Sequence, residues 1–269
     1  MKISFIGGGN MASAIISGLK QKGFDTSNIS VVELDASKRE ALTQEFGVQT
    51  TEHLPSVVNA DVVVLAVKPQ QLRDIAIFLA SFLKQQLVIS IAAGISCAAL
   101  QRWLNGYNAI VRVMPNTPAQ IQAGVSGLYA AAGVSLEQRE QADQLLAAAG
   151  STLWVDDESK IDLVTAISGS GPAYVFYFIE ALEQAGLELG LSAEQARTLS
   201  LQTFLGASQL ASQVETPAAT LRAQVTSKGG TTERALLSLE QDGIKPAIIR
   251  AARAAAERAR ELGEQLGKD

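Results

Sequence analysis

The sequence predicts an α/β domain built on a parallel sheet, followed by an all-helical C-terminal domain. Three observations predict it. A glycine-rich turn separates an apolar strand pattern from a helix within the first thirteen residues. Short apolar runs then alternate with helical segments as far as about residue 155. From about residue 161 onward Ala, Leu, Glu, Gln and Arg dominate, all good helix formers, and no strand run is found. The expected division is 1–158 and 159–269.

Taken in order, Lys2-Ile3-Ser4-Phe5-Ile6 reads as a strand, and Gly7-Gly8-Gly9-Asn10-Met11-Ala12 opens a helix running to about residue 22. The spacing is G-x-G-x-x-A. Gly7 permits a tight turn, Gly9 lets backbone approach a pyrophosphate, and Ala12 allows close helix–strand packing. This identifies a Rossmann-type dinucleotide-binding domain. Further strands are expected at 30–34, 62–66, 87–91 and 109–113, with helices at 36–46, 72–83 and 97–104 between them. The fully apolar Val62-Val63-Val64-Leu65 fits a sheet covered on both faces. Two last strands fall at 125–131 and 153–155. Helices follow at 161–168, 172–189, 193–213, 218–224, 232–240 and 245–266. The second of these is apolar nearly all round and is expected to be a central buried helix. The last carries Arg253 with Glu257 and Arg260 with Glu264 at the spacing of a solvated face.

Composition excludes several function classes. The chain is 47% apolar and 18% charged, which is globular, and its net charge of −5 with no basic run gives no nucleic-acid footprint. The longest apolar stretches are too short to span a bilayer. The first six residues enter a strand directly, without the cationic-then-apolar pattern of a signal peptide, and Cys97 is the single cysteine. Both fit a cytoplasmic location. The single histidine, His53, lies in a polar loop beside Pro55 and reads as solvated. Cys97 has no histidine partner in sequence and reads as a packing residue. No cluster resembles a metal site, so no metal is expected and the chemistry must be carried largely by a cofactor.

Ligands of such sheets lie beyond the carboxyl ends of the strands. Those ends are Gly7 to Met11, Ala66-Val67-Lys68-Pro69-Gln70, Ser90 to Gly94, and Met114-Pro115-Asn116-Thr117-Pro118. At the end of the second strand stands Glu33. An acid there accepts bonds from a ribose diol and disfavours a 2′-phosphate. Lys38 and Arg39 follow within reach of a phosphate, or simply on a solvated helix face. A second candidate pocket lies in the helical half, at Thr226-Ser227-Lys228-Gly229-Gly230-Thr231-Thr232-Glu233. Its paired glycines allow a sharp turn, its hydroxyls are donors, and it ends at a helix N-terminus suited to a carboxylate or phosphate.

Five segments stand in order: Phe5-Ile6-Gly7-Gly8-Gly9-Asn10-Met11-Ala12, Leu65-Ala66-Val67-Lys68-Pro69-Gln70, Arg112-Val113-Met114-Pro115-Asn116-Thr117-Pro118-Ala119, Ser168-Gly169-Ser170-Gly171-Pro172-Ala173-Tyr174, and Thr226 to Glu233. Together, over essentially the whole chain, they resemble the pyrroline-5-carboxylate reductase family. The Met-Pro-Asn-Thr-Pro and Gly-Gly-Thr-Thr-Glu segments are the specific ones. Two positions depart from the family pattern: Lys228, where proline is usual, and Glu33, where Ser, Thr or Asn is common.

The resemblance implies reduction of the cyclic imine L-1-pyrroline-5-carboxylate to L-proline by hydride from NADPH, with NADH as the alternative. It implies that Ser227, Gly229, Gly230, Thr231 and Thr232 bind the substrate, with the Thr232 hydroxyl, the catalytic candidate, nearest the ring nitrogen. Gly7, Gly9, Asn10 and Met11 would take the pyrophosphate; the adenosine ribose falls to Glu33 by its place at the end of the second strand, not by the resemblance. Ala66, Val67, Lys68 and Pro69 would line the path to the nicotinamide, with Ala92, Ala93, Met114, Pro115 and Asn116 beside it. A homodimer through the helical domain, able to assemble into a decamer, is the implied partner arrangement. Two other readings stay open: an oxidoreductase of the β-hydroxyacid dehydrogenase type, and a non-catalytic NAD(P)-binding sensor.

Overall fold

The computed structural model describes residues 1–268, the side chain of Val58 excepted. The chain folds into two compact units, Met1–Ser170 together with the residues from Ala254 onward, and Gly171–Arg253.

The first unit is an eight-stranded sheet in the order β3-β2-β1-β4-β5-β6-β7-β8. Its strands are β1 (Ile3–Ile6), β2 (Ile29–Val32), β3 (Gln49–Thr51), β4 (Val62–Leu65), β5 (Leu87–Ser90), β6 (Ile110–Met114), β7 (Gly124–Ala130) and β8 (Gly150–Trp154). Helices α1 (Asn10–Gln21), α2 (Ala36–Phe46), α3 (Pro69–Leu79), α4 (Cys97–Trp103) and α5 (Leu136–Ala147) connect them. Strands β1, β4 and β5 are buried at every position. One side packs Ile3, Phe5, Val62 and Val64 against Ile15, Ile16 and Leu19 of α1. The other packs Val63, Leu65 and Val88 against Leu72, Leu79 and Leu100. Covering both faces is what lets the strands read as unbroken apolar runs.

The sheet departs from the expected all-parallel order at one place, where β6 and β7 pair antiparallel. Only a short 3₁₀ segment, Thr117–Ile121, joins them, and a parallel return needs a full crossover. Two elements lie outside the expected set. Strand β3 is short and polar, and α5 has an almost even distribution of apolar residues. Its start was nevertheless marked in the sequence by the Ser135–Gln138 capping box, which the structure forms in both directions.

After α6 (Lys160–Val164) the chain makes a π turn over Thr165–Gly169. The second unit then holds α7 (Gly171–Glu188), α8 (Ala193–Ser212), α9 (Ala218–Gln224), α10 (Thr231–Gln241) and the first half of α11 (Ile244–Leu266). Helices α7 and α8 pack closely: a Cβ on Gly186 would stand 2.9 Å from the Ala196 Cβ. The expectation that α7 is centrally buried is overturned for the single chain. Phe176 is 64% and Tyr177 70% exposed, and Gly186 is its one buried residue. Among the described residues of its own unit, α8 is the helix that α7 packs against extensively, which leaves much of its apolar face exposed.

The second half of α11 belongs to the first unit. Leu266 packs into the core cluster around Leu100 and Trp103, and Arg102 donates to the Gly267 carbonyl at 2.5 Å. A Cβ on Gly94 would lie 3.5 Å from the Gly263 nitrogen, so the two backbones approach closely there. On the solvent side Arg260 pairs with Glu264 as expected, while Glu257 is taken by Arg260 at 2.6 Å. Among the described residues no helix is long and apolar enough to cross a membrane.

Candidate functional site

The carboxyl ends of β1, β2 and β4 enclose a cavity of about 460 Å³. Gly7, Gly9, Glu33, Ala66, Val67 and Lys68 line it, together with Asp35, Lys38 and Glu52. Gly7 has φ +98, and a Cβ there would sit 2.7 Å from the Ala66 carbonyl oxygen. Glycine is therefore required both by the left-handed backbone and by the approach of β4. Gly9 differs: a Cβ on it would meet nothing within 4 Å. It caps α1 without any side-chain hydrogen bond. Open space at an uncapped helix N-terminus fits the pyrophosphate of a dinucleotide.

Glu33 is held over the turn, its Oε2 accepting from the Gly8 N–H at 2.9 Å and its Oε1 from the Asp35 N–H at 3.1 Å. Partial burial pushes the carboxyl up, but those two bonds and the Lys38 charge outweigh it and hold the group below the usual carboxylate range. Arg39 is not available to a ligand phosphate. Its Nη1 donates to the Glu33 and Leu34 carbonyls at 2.8 Å each, and its Nη2 pairs with Glu52 at 3.3 Å.

The remaining cofactor candidates do not line this cavity but stand along the same edge of the sheet. Asn10 and Met11 open α1, and Pro69 is the first residue of α3. Ala92, buried, and Ala93, exposed, follow β5. Met114 ends β6, and Pro115 and Asn116 follow it. Parallel pairing of β1, β4 and β5, and of β5 with β6, brings these ends to one side. The Asn116 side chain is committed internally. Its Nδ2 donates to the Ser168 carbonyl at 3.1 Å and its Oδ1 accepts from the Val125 N–H at 2.9 Å. It fixes the loop it stands in.

One group escaped the sequence reading. Arg112, in the middle of β6, is 5% exposed and pairs with Glu158 at 3.1 Å and Asp162 at 2.8 Å. Glu158 also accepts from the Cys97 N–H at 2.7 Å. The available signal was an arginine inside the apolar run Ile110-Val111-Arg112-Val113-Met114, since a buried cation has to find carboxylates. Cys97 itself is buried, and burial together with the neighbouring Glu158 pushes its thiol up to about 12, as suits a packing residue. His53 is exposed in its loop.

In the second unit, residues 226–230 connect α9 to α10. The Gly230 N–H donates to the Ser227 carbonyl at 3.0 Å, closing a turn with Gly229 at its third position. Gly229 has φ +73, which that position requires of a type II turn. Its N–H donates to Glu233 Oε2 at 2.7 Å, so the first-turn acid of α10 ties the loop back. Gly230 caps α10 with no side-chain bond, and Thr231 and Thr232 form the first turn. Ser227, Gly229, Gly230, Thr231 and Thr232 thus form one turn that closes on itself through the Gly229 and Gly230 N–H groups. It leads into a helix end with no N-cap side-chain bond, where first-turn N–H groups lack intrahelical partners. Lys228 occupies the second turn position, where proline's fixed φ is favoured. Lys228→Pro is expected to raise stability by about 0.4–1 kcal/mol, read as a higher urea midpoint with unchanged slope.

Comparison with known proteins agrees with both halves. The family described as NADP oxidoreductase coenzyme F420-dependent matches residues 2–94, and pyrroline-5-carboxylate reductase dimerisation matches residues 158–262. A pyrroline-5-carboxylate reductase of Pseudomonas aeruginosa is 49% identical, covering 99% of this chain and 98% of its own length. The structure of a pyrroline-5-carboxylate reductase from Coxiella burnetii superposes with a TM-score of 0.93 at 42% identity, covering 97% of this chain and 98% of that one. That of Plasmodium falciparum pyrroline carboxylate reductase, with NADP bound, gives 0.87 at 28% identity, with 98% of each chain covered. On the strength of near-complete coverage at 49% identity and a matching dimerisation segment, the chain belongs to the pyrroline-5-carboxylate reductase family.

Proposed function

We propose that this chain reduces L-1-pyrroline-5-carboxylate to L-proline with NAD(P)H, the last step of proline biosynthesis. The observation that carries the reading is that one chain holds both a cavity at Gly7 and Gly9 and a hydroxyl-rich turn at Ser227–Thr232, and its full-length relatives bear that name. Bound NAD(P)H supplies the hydride. Gly7, Gly9, Asn10 and Met11 hold the pyrophosphate, and Ala66, Val67, Lys68 and Pro69 line the way to the nicotinamide. Ala92, Ala93, Met114, Pro115 and Asn116 flank that ring, Asn116 through its backbone because its side chain is engaged. In the helical part, Ser227, Gly229, Gly230 and Thr231 grip the substrate carboxylate, and Thr232 orients the ring nitrogen. A protonated imine is already electrophilic, so alignment is the main demand on the protein. That accounts for a site with no histidine.

The functional division we infer is 1–158 for the nucleotide and 159–269 for substrate and partner chain. The exposed apolar residues of α7, among them Phe176 and Tyr177, support a homodimer; a decamer as its further assembly and a cytoplasmic location complete the proposal.

The test is to mix purified protein with pyrroline-5-carboxylate and follow oxidation of NADPH and of NADH separately. Proline formation with either supports the reading. Thr232→Val should keep nucleotide binding and lose about 10²-fold in kcat/KM, as expected for a group that aligns the reacting centre. Tight nucleotide binding without turnover of this imine overturns the assignment. It would return the chain to the sensor reading, or to the β-hydroxyacid dehydrogenase reading if a hydroxyacid turns over instead.

A further inference from the structure

The adenosine end of the nucleotide cavity carries a fixed negative charge. Glu33 cannot rotate away at no cost, because both carboxylate oxygens are engaged by backbone N–H groups, at Gly8 and at Asp35. The Gly8 bond anchors it to the same turn that Gly7 and Gly9 shape. Its surroundings add no excess of positive charge. Three carboxylates, Glu33, Asp35 and Glu52, line the cavity beside two ammonium groups, Lys38 and Lys68. Among the described residues no arginine lines the cavity, and Arg39, at the start of α2, is turned to carbonyls and to Glu52. A ribose diol offers two hydroxyl donors to such a carboxylate. A 2′-phosphate brings close to two negative charges instead, and no arginine among the described lining residues offers a fork to receive it.

We propose that Glu33 is a specificity-determining residue that makes this site select the dinucleotide with a free adenosine 2′-hydroxyl, NADH, over its 2′-phosphorylated counterpart. The inference rests on the reading of the Gly7–Gly9 cavity as the dinucleotide site, and it concerns binding, before any chemistry. Lys38 is the cation positioned to reverse the preference once the carboxylate is gone.

The experiment is a fluorescence titration of the purified full chain with NADH and with NADPH, without imine. It is run on the wild type, Glu33→Gln and Glu33→Ser. Glu33→Gln retains an acceptor for the Gly8 N–H, and Glu33→Ser removes the carboxylate entirely. The wild type is expected to bind NADH at least about tenfold more tightly, the size of repulsion set by like charges a few ångströms apart near a protein surface. Both substitutions should move the affinity ratio at least about tenfold toward NADPH, and adding Lys38→Ala to Glu33→Ser should undo part of the gain. Reading the ratio on one sample keeps any loss of folded protein out of the answer, since it lowers both signals alike. Tighter NADPH binding by the wild type, or a ratio unmoved in both variants, overturns the inference and leaves the dinucleotide site standing. Failure of the wild type to bind either nucleotide overturns the site reading, and the inference with it.

Discussion

Arg112→Met is expected to lower the unfolding free energy by about 3 kcal/mol, the lower end of what removing one partner of a buried ion pair costs. Arg112 is nearly inaccessible, whereas the side chains of Glu158 and Asp162 keep 25% and 21% of their surface. Water can therefore relieve part of the stranded charge, which is why the lower end applies. The substitution leaves two carboxylates, both from the segment that forms the start of α6, beside the place Arg112 held on β6, and one of them also receives the Cys97 N–H. Urea denaturation measures the loss directly. Adding Glu158→Gln and Asp162→Leu to Arg112→Met should recover most of it, because a neutral cluster of similar volume carries no stranded charge. A loss under about 1 kcal/mol in the single variant would show that the network is not what joins α6 to the sheet.

Gly7→Ala should weaken NAD(P)H binding at least about 30-fold. The left-handed backbone costs an alanine roughly 1–2 kcal/mol. The added Cβ would stand 2.7 Å from the Ala66 oxygen and 2.9 Å from its carbonyl carbon, and backbone there cannot step aside cheaply. The turn must shift, and it carries the uncapped start of α1. Gly23→Ala is the matched comparison. Gly23 also has positive φ, +81, but a Cβ on it meets nothing within 4 Å. It should lose about 1 kcal/mol of stability and leave nucleotide affinity unchanged. Equal effects of the two substitutions on binding would refute the close-approach argument for Gly7.

These expectations show which parts of the molecule were legible from the chain alone. The glycine turn was legible because its chemistry is local: three residues specify backbone shape whatever surrounds them. The continuous apolar strands were legible for the same reason. Strand β3 was not, because Gln49-Thr50-Thr51 carries little apolar signal and is a strand through its pairing with β2. The antiparallel turn of β7 was missed because alternation predicts strands but not their direction. The role of Asn116 depends on Ser168 and Val125, distant or unmarked in sequence, so no local rule could assign it. Helix α7 failed in an instructive way. Its pattern does demand burial, yet the single chain leaves Phe176 and Tyr177 largely exposed. Periodicity reports that an apolar face must be covered and is silent on which chain covers it.

The return of α11 to the first unit has a consequence for how the protein comes into being. Leu266 and the backbone at Gly263 complete a core whose strands begin at Ile3. On the ribosome, β1 to β8 therefore emerge well before the helix end that covers this part of their core. At about 5–20 residues per second the wait is many seconds, during which the surface around Gly94, Leu100 and Trp103 stays uncovered. The helical unit, a single uninterrupted stretch from Gly171 to Arg253, has its own residues complete before that final seam closes. Closing that seam is thus a late step, open only once the whole helical unit has been made.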